Sequence, residues 1–294
     1  MNTSSLKAWL LATRPKTLVA AVSPILVATA LPVAYHHNWS WAFTIYALLA
    51  SLFIQIGTNF VNDAVDFEKG ADTETRLGPQ RVTQAGIFSS RQVKWMAALM
   101  FLLAMVCGIP LVIQGGVPIV IIGLCSVAMG YSYTAGPFPL AYLGLGEIFV
   151  ILFFGVIAVM GLNYIHSGLW SIPALLAGLQ VGVMCTVLLA VNNLRDVSGD
   201  VLVNKKTLPV RFGKRFARCE IAFLCFAPYV MGAFWLGQGL WLAALLPLLT
   251  LPLAIKIVKN VFTTEPSPVF NKFLAMSGAL HLSFGLCLAV GLSL

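Results

Sequence analysis

Apolar residues run along this chain in long unbroken stretches separated by short polar connections. They do not alternate as half-buried strands do, and they do not form the narrow stripe of a helix with one wet face. A helix crossing the ~30 Å hydrocarbon layer needs about 20 largely apolar residues. Nine stretches meet that requirement, at roughly 17–35, 42–62, 94–113, 117–134, 142–162, 171–193, 219–237, 240–258 and 273–292. They are too long and continuous for transmembrane strands, which alternate over about ten residues. The first stretch leads straight into a second, so the pattern does not read as a cleavable signal. The prediction is an all-α polytopic membrane protein of nine transmembrane helices, treated as a single transmembrane domain over 1–294.

Composition narrows the reading. Hydrophobic residues make up 59% of the 294 and charged residues 10%, whereas a soluble domain carries about 25% charged residues. A water-facing surface could not be covered with so few charges, and disorder needs the opposite balance. All Lys and Arg residues fall in four places: the N-terminus (Lys7, Arg14, Lys16), after the second stretch (Lys69 to Lys94), after the sixth (Arg195 to Arg218) and after the eighth (Lys256 to Lys272). With nine spans these segments share one side. Positive charge is retained in the cytoplasm, which predicts an inner-membrane protein with its N-terminus inside and its C-terminus outside. The net charge of +8 then reports topology, and no nucleic-acid partner is expected. The six cysteines form no Cys-x-x-Cys and read as small apolar packing residues.

The acids are concentrated. Asp63, Asp66, Glu68, Asp72 and Glu74 follow the second apolar stretch, and Asp196 and Asp200 follow the sixth. Asn59 and Asp63, and Asn62 and Asp66, are spaced to share a helix face, as are Asn193, Asp196 and Asp200. Each group thus places Asn in the last apolar turn and Asp just beyond it. Asn in a span is expensive unless it faces protein or a polar cavity. Bunched acids raise one another's pKa unless a cation sits between them. An oxygen-only donor set without His or Cys favours Mg²⁺, which takes one or two carboxylates and completes its shell with phosphate oxygens. Two acidic helix ends are therefore expected to face each other, with Mg²⁺ and a phosphorylated ligand between them. Lys69, Arg76, Arg81, Arg195, Lys205, Lys206 and Arg211 flank the acids, where orientation signal and phosphate ligand are both open. Arg81 and Lys205 lie in loops that can fold back over the acids. The two acidic groups lie four stretches apart, which predicts two related four-helix halves plus one helix around a central cavity.

These residues resemble the two aspartate motifs of the UbiA superfamily of intramembrane aromatic prenyltransferases: Asn62-Asp63-x-x-Asp66 with Asp72, and Asp196-x-x-x-Asp200. Arg14-Pro15-Lys16-Thr17-Leu18, Gly78 to Gly86, Tyr131 to Pro137, Gly144-Leu145-Gly146-Glu147 and Asn192 to Asp196 are similar to the naphthoate-using, menaquinone branch. Where the hydroxybenzoate branch has its last Asp this chain has Gly70, and the acid is Asp72. The resemblance implies Mg²⁺-dependent transfer of a polyprenyl group from polyprenyl diphosphate to 1,4-dihydroxy-2-naphthoate, with loss of CO₂ and a ring proton, giving demethylmenaquinone. It implies Asp63, Asp66, Asp196 and Asp200 as catalytic metal-holding acids, joined in the metal shell by Asn59, Asn62, Asp72 and Asn193. Lys69, Arg81, Arg195, Lys205 and Lys206 fall to the diphosphate. Tyr131 and Tyr133 are candidates for stabilising an allylic cation, set against the more ordinary reading of an interfacial aromatic belt. Glu147, read as the acid lying well inside a span, orients the acceptor or handles its proton, or else is paired within the bundle. The segments 63–94 and 194–218 are expected as polar cytoplasmic loops capping the site, and membrane lipid as the surroundings of the prenyl tail. Two alternatives stay open: a related enzyme with another aromatic acceptor such as 4-hydroxybenzoate, and a cation-coupled transporter.

Overall fold

The computed structural model describes residues 3–72 and 77–294; Glu74 and Arg76 lie outside the described residues. It is helical, with no strand among the described residues. In chain order the helices are α1 (Thr3–Ala12), α2 (Val19–Ala34), α3 (Trp41–Glu68), α4 (Ser90–Gly115), α5 (Val117–Ser132), α6 (Gly146–Ser167), α7 (Ile172–Leu202), α8 (Leu208–Gly237), α9 (Trp241–Thr263) and α10 (Phe270–Ser293). Seven of them, α3, α4 and α6 to α10, are long and apolar enough to cross a membrane. An eighth crossing arises if the pair Ser5–Thr17 and Val19–Ala34, bent by 53°, is one span, and α5 is a shorter apolar helix. Every predicted apolar stretch is thus largely helical, and the described helices bear out seven or eight of the nine expected spans by length and composition.

The boundaries depart from expectation where function is at stake. α3 does not stop at 62 but continues to Glu68, and α7 continues past 193 to Leu202. At 1.5 Å per residue, helices of 28 and 31 residues are ~42 and ~46 Å long, so each projects beyond a ~30 Å hydrocarbon layer. The predicted loop 194–218 is therefore mostly helix, with α8 resuming at Leu208, and the predicted loop 63–94 shrinks to 69–89 between α3 and α4. Helical spacing of the acids caused this: polar residues on one face extend a helix as well as they begin a loop. α3 ends where Gly70 takes a positive φ of 71° and its N–H donates to the Phe67 carbonyl, with Ala71 N–H reaching back to Asp66; glycine suits that left-handed cap. Asn204 (φ 54°) follows the end of α7 in the same conformation, which Asn tolerates better than most residues. α4 opens with a Ser89–Gln92 capping box.

α7 is the central post. Val181, Met184, Val187, Val191 and Leu194 on it are fully buried, and it packs against α2, α6, α8 and α10. α6 and α7 meet backbone to backbone: a Cβ on Gly155 would lie 2.4 Å from the Gly178 carbonyl and 2.5 Å from Gly182 Cα. Without an apolar driving force between helices in lipid, such close packing of small residues is what holds spans together. α6 widens to a π-helical turn at Leu152–Ile157 across this contact, a distortion frequent beside functional sites.

The four basic segments do gather at one end of the bundle. Lys94 pairs with Glu68 (2.7 Å), Lys214 and Arg218 pair with Glu265 (2.8 and 2.7 Å), and Asn271 Nδ2 donates to the Leu77 carbonyl (3.0 Å). At the opposite end Ser40 N–H donates to His166 Nδ1 (3.3 Å) in a region free of charged side chains.

Candidate active site

The end of α3 presents Asn59, Asn62, Asp63 and Asp66 inward, all buried. The 77–89 segment folds back over them, turning at Gly86 (φ 66°) and sending two side chains inside. Arg81 Nη1 donates to Asp66 Oδ2 (2.9 Å) and to the Asn62 carbonyl (2.8 Å), and it pairs with Asp72 Oδ2 (2.9 Å). The Thr83 hydroxyl donates to the Asp63 carboxylate. Asn62 bridges outward: its Nδ2 donates to Asp66 Oδ2 (2.9 Å) and Thr134 Oγ1 (3.1 Å), and its Oδ1 accepts from Arg14 Nη2 (2.8 Å). Asp66 Oδ1 accepts from the Tyr142 hydroxyl (2.7 Å). Burial and the neighbouring Asp66 carboxylate push the Tyr142 phenol well above its ordinary range, so it remains a donor.

The end of α7 supplies the second group. Asn193 Nδ2 donates to Glu147 Oε1 (2.8 Å). Arg195 forks onto Asp196 through Nε (2.7 Å) and Nη2 (2.6 Å) and also donates to Asn192 and Asn271. Asp200 accepts from Thr207 (3.2 Å) and pairs with Lys205 (3.5 Å).

One cavity of about 180 Å³ receives both groups: Asn59, Asn62 and Arg81 line it from the first, Asn192, Asn193, Asp196 and Lys205 from the second. A larger apolar cavity of about 420 Å³ lies between α2, α3, α4, α5 and α6. Thr58, Phe149 and Phe154 line both, so a polar chamber adjoins an apolar one across a common aromatic wall. This geometry suits a molecule with an anionic head and a long hydrocarbon tail.

The model of the UbiA prenyltransferase family matches residues 21–282, nearly the whole chain. The chain belongs to the UbiA prenyltransferase family. Among curated members it is similar to the 1,4-dihydroxy-2-naphthoate octaprenyltransferases of Haemophilus influenzae (30% identical, covering 99% of this chain and 97% of that one) and Escherichia coli (34%, 90% and 88%). It is also similar to the 2-carboxy-1,4-naphthoquinone phytyltransferase of Synechocystis (30%, 97% and 92%). Its fold is shared by a UbiA homologue from Aeropyrum pernix (TM-score 0.70, 16% identity, covering 94% of this chain and 96% of that one). A homologue from Archaeoglobus fulgidus bound to DMAPP and Mg²⁺ shares it as well (TM-score 0.61, 16% identity, 96% and 99%). The family read from the motifs is thus borne out.

Within this UbiA fold the predicted residues separate. Asn59, Asn62, Asn193, Asp196, Arg81, Lys205 and Tyr133 line the polar cavity. Asp63, Asp66, Asp72 and Asp200 stand directly behind it, held by Thr83, Arg81, Tyr142, Thr207 and Lys205. No three acids come together as a ready-made metal cage among the described residues; resident cations divide them. Arg195 is fully buried on Asp196 and does not line the cavity, the Lys206 side chain is exposed, and Tyr131 is 51% exposed away from it. Lys69 lies over the Tyr142 ring and donates to the Thr134 carbonyl (3.0 Å). Glu147 sits in the first turn of α6 rather than deep in a span, whereas Glu220 is well inside α8, its Oε2 without a hydrogen-bond partner. Sequence reading missed Thr83, Thr134 and Tyr142. Thr83 and Thr134 lie within the family-like segments, but their partners are set by the folded connections: Thr83 and Tyr142 reach Asp63 and Asp66, and Thr134 reaches the Asn62 amide.

Proposed function

We propose that the chain transfers a polyprenyl group from polyprenyl diphosphate to 1,4-dihydroxy-2-naphthoate, with loss of CO₂, in menaquinone biosynthesis. The observation that carries this reading is the polar chamber fed by two acidic helix ends and joined to an apolar one. The names of the curated relatives support the acceptor. We place the protein in the bacterial inner membrane with nine crossings in two four-helix halves plus one helix, α5 counting as a crossing. The basic end and the N-terminus then face the cytoplasm.

The donor set fits Mg²⁺. The acids and amides offer oxygen donors alone, as hard cations prefer, and Cys185, which also lines the chamber, packs in an apolar cluster with Phe149 and Val150. Asp63, Asp66, Asp72, Asp196 and Asp200, with Asn59, Asn62 and Asn193, would hold the metal. When bound, Mg²⁺ neutralises the diphosphate and makes it a better leaving group. Arg81 and Lys205, facing the chamber, and Lys69 beside it meet the diphosphate oxygens and stabilise the charge that develops on them. Arg195 orients Asp196 from behind, and Lys206 contributes through its backbone.

The tail lies in the apolar cavity. As its C–O bond to diphosphate breaks, the electron-rich faces of Tyr133 and Phe149, with ring centroids 5.1 Å apart, stabilise the allylic cation. The naphthoate carbon attacks to form the C–C bond, the carboxylate leaves as CO₂, and the ring proton given up at the new bond is returned to the decarboxylated carbon, giving the quinol form of demethylmenaquinone with no net proton lost. Glu147, anchored by Asn193, orients the acceptor and takes the proton. The 77–89 segment and the α7–α8 connection cap the chamber and exclude water that would otherwise quench the cation. The test is purified protein with Mg²⁺, offered 1,4-dihydroxy-2-naphthoate and 4-hydroxybenzoate together with prenyl diphosphates of several lengths. Mass spectrometry is expected to find prenylated naphthoquinol, absent when Asp196→Asn replaces the wild type. Product from hydroxybenzoate alone would overturn the acceptor, and no product from either would overturn the reaction.

A further inference from the structure

We propose that Tyr142 is the positioning residue that couples the two halves of the donor site, its ring serving as the resting platform for the lysines that meet the diphosphate. The inference rests on the donor-site reading above. Lys69 Nζ stands 4.0 Å from the centroid of the Tyr142 ring and Lys205 Nζ 5.7 Å from it. One lysine closes the first acidic helix; the other follows the second. Tyr142 itself does not line the chamber, so it acts through its neighbours.

The ring cannot drift. Its hydroxyl is fixed on Asp66 (2.7 Å), and its carbonyl accepts from Lys206 N–H (2.9 Å). The next residues are clamped as well: Arg211 Nη2 donates to the Leu143 carbonyl (2.7 Å), and Gly144 (φ 70°) packs against the Lys206 carbonyl. The α5–α6 connection is therefore tied to the first half through Tyr142 and Thr134 and to the second through Tyr142, Leu143 and Gly144.

The two ammonium groups repel each other, and Asp200, 3.5 Å from Lys205, and the nearby Asp66 offset only part of that. The negative face of an aromatic ring offsets part of that repulsion, yet it is a weaker partner than a carboxylate. Lys69, held by the ring and the Thr134 carbonyl, leaves readily for an incoming diphosphate, and Lys205 is held by Asp200 only at 3.5 Å, longer than a close ion pair. Tyr142 thereby keeps the cations gathered and available, and its phenol holds one Asp66 oxygen in a fixed direction.

The experiment uses the full chain in lipid nanodiscs as wild type, Tyr142→Phe and Tyr142→Leu. It reads the Kd of geranylgeranyl thiolodiphosphate, an unreactive donor analogue, together with the KM of the naphthoate acceptor and the thermal midpoint. Losing two cation–π contacts is expected to weaken analogue binding about tenfold in Tyr142→Leu, with acceptor KM unchanged and the midpoint close to that of Tyr142→Phe, which loses the same hydroxyl bond to Asp66. Tyr142→Phe, which keeps the ring, is expected to restore affinity to within about threefold of wild type. Wild-type affinity in Tyr142→Leu would overturn the proposal, as would equal weakening in both variants. So would joint loss of donor and acceptor affinity in Tyr142→Leu with a midpoint well below that of Tyr142→Phe, the mark of a merely structural role. If the wild type itself fails to bind the analogue, the donor-site reading falls, and the proposal with it.

Discussion

Arg81 offers the sharpest test of how the first acidic group is held. One guanidinium nitrogen donates to Asp66 (2.9 Å) and to the Asn62 carbonyl (2.8 Å) and ion-pairs with Asp72 (2.9 Å). The three side chains are 8% exposed for Arg81, 4% for Asp66 and 2% for Asp72, so solvent screens little of the interaction. Replacing Arg81 by Met keeps the volume but strands two buried carboxylates. Breaking a buried pair in that way costs about 3–5 kcal/mol. For a chain of this size each kcal/mol moves the midpoint by ~2–4 °C, so the loss amounts to ~6–20 °C. The assay is thermal unfolding in detergent of wild type, Arg81→Met and Arg81→Lys, each with and without Mg²⁺. Arg81→Lys, which can set an ammonium between the acids, is expected to recover about half the loss, as the charge returns without the fork. Mg²⁺ is expected to raise the midpoint more in Arg81→Met than in wild type, because the vacated carboxylates become ligands. A metal-free Arg81→Met midpoint within a degree or two of wild type would refute the reasoning, since the acids could not then depend on that cation.

Three further outcomes are expected. Burial lowers the Lys69 pKa, repulsion from Lys205 adds to that, and Asp66 only partly opposes it. Lys69 therefore sheds its charge at lower pH than free lysine. kcat/KM for the prenyl diphosphate should fall on the alkaline side as that proton leaves, and Lys69→Arg, always charged, should extend the plateau; identical alkaline limbs would count against a diphosphate role. Gly144→Ala combines a positive φ of 70° with a Cβ only 2.3 Å from the Lys206 carbonyl, so it should displace the α7–α8 connection. At roughly 1–3 kcal/mol of strain, limited proteolysis of 203–207 should quicken; unchanged cleavage would show that the contact is slack. Finally, a reporter fused after Leu294 is expected on the outer side of the membrane, and a cytoplasmic signal would remove the nine-crossing count.

The apolar stretches dictated the class of fold because the bilayer imposes one length scale on every crossing, and length is legible in a linear string. Charge asymmetry was legible for the same reason: each basic segment carries its sidedness locally. The Asn–Asp spacings marked both acidic groups, and motifs extending over the chain marked the family. Where α3 and α7 end was not legible, since Asp63 and Asp196 fit equally well at the start of a polar loop or on the wet extension of a helix; the caps at Gly70 and Asn204 decided it. Partner choice was also beyond the string. Arg195 and Arg81 look alike in sequence, yet packing buries one on its neighbour Asp196 and carries the other across a fold-back to Asp66 and Asp72. Tyr142 reaches Asp66 from 76 residues away, and Arg14 reaches Asn62 from 48. Sequence records which groups are costly to leave unpaired in a membrane; only the closure of distant helices on one another determines which group answers each of them.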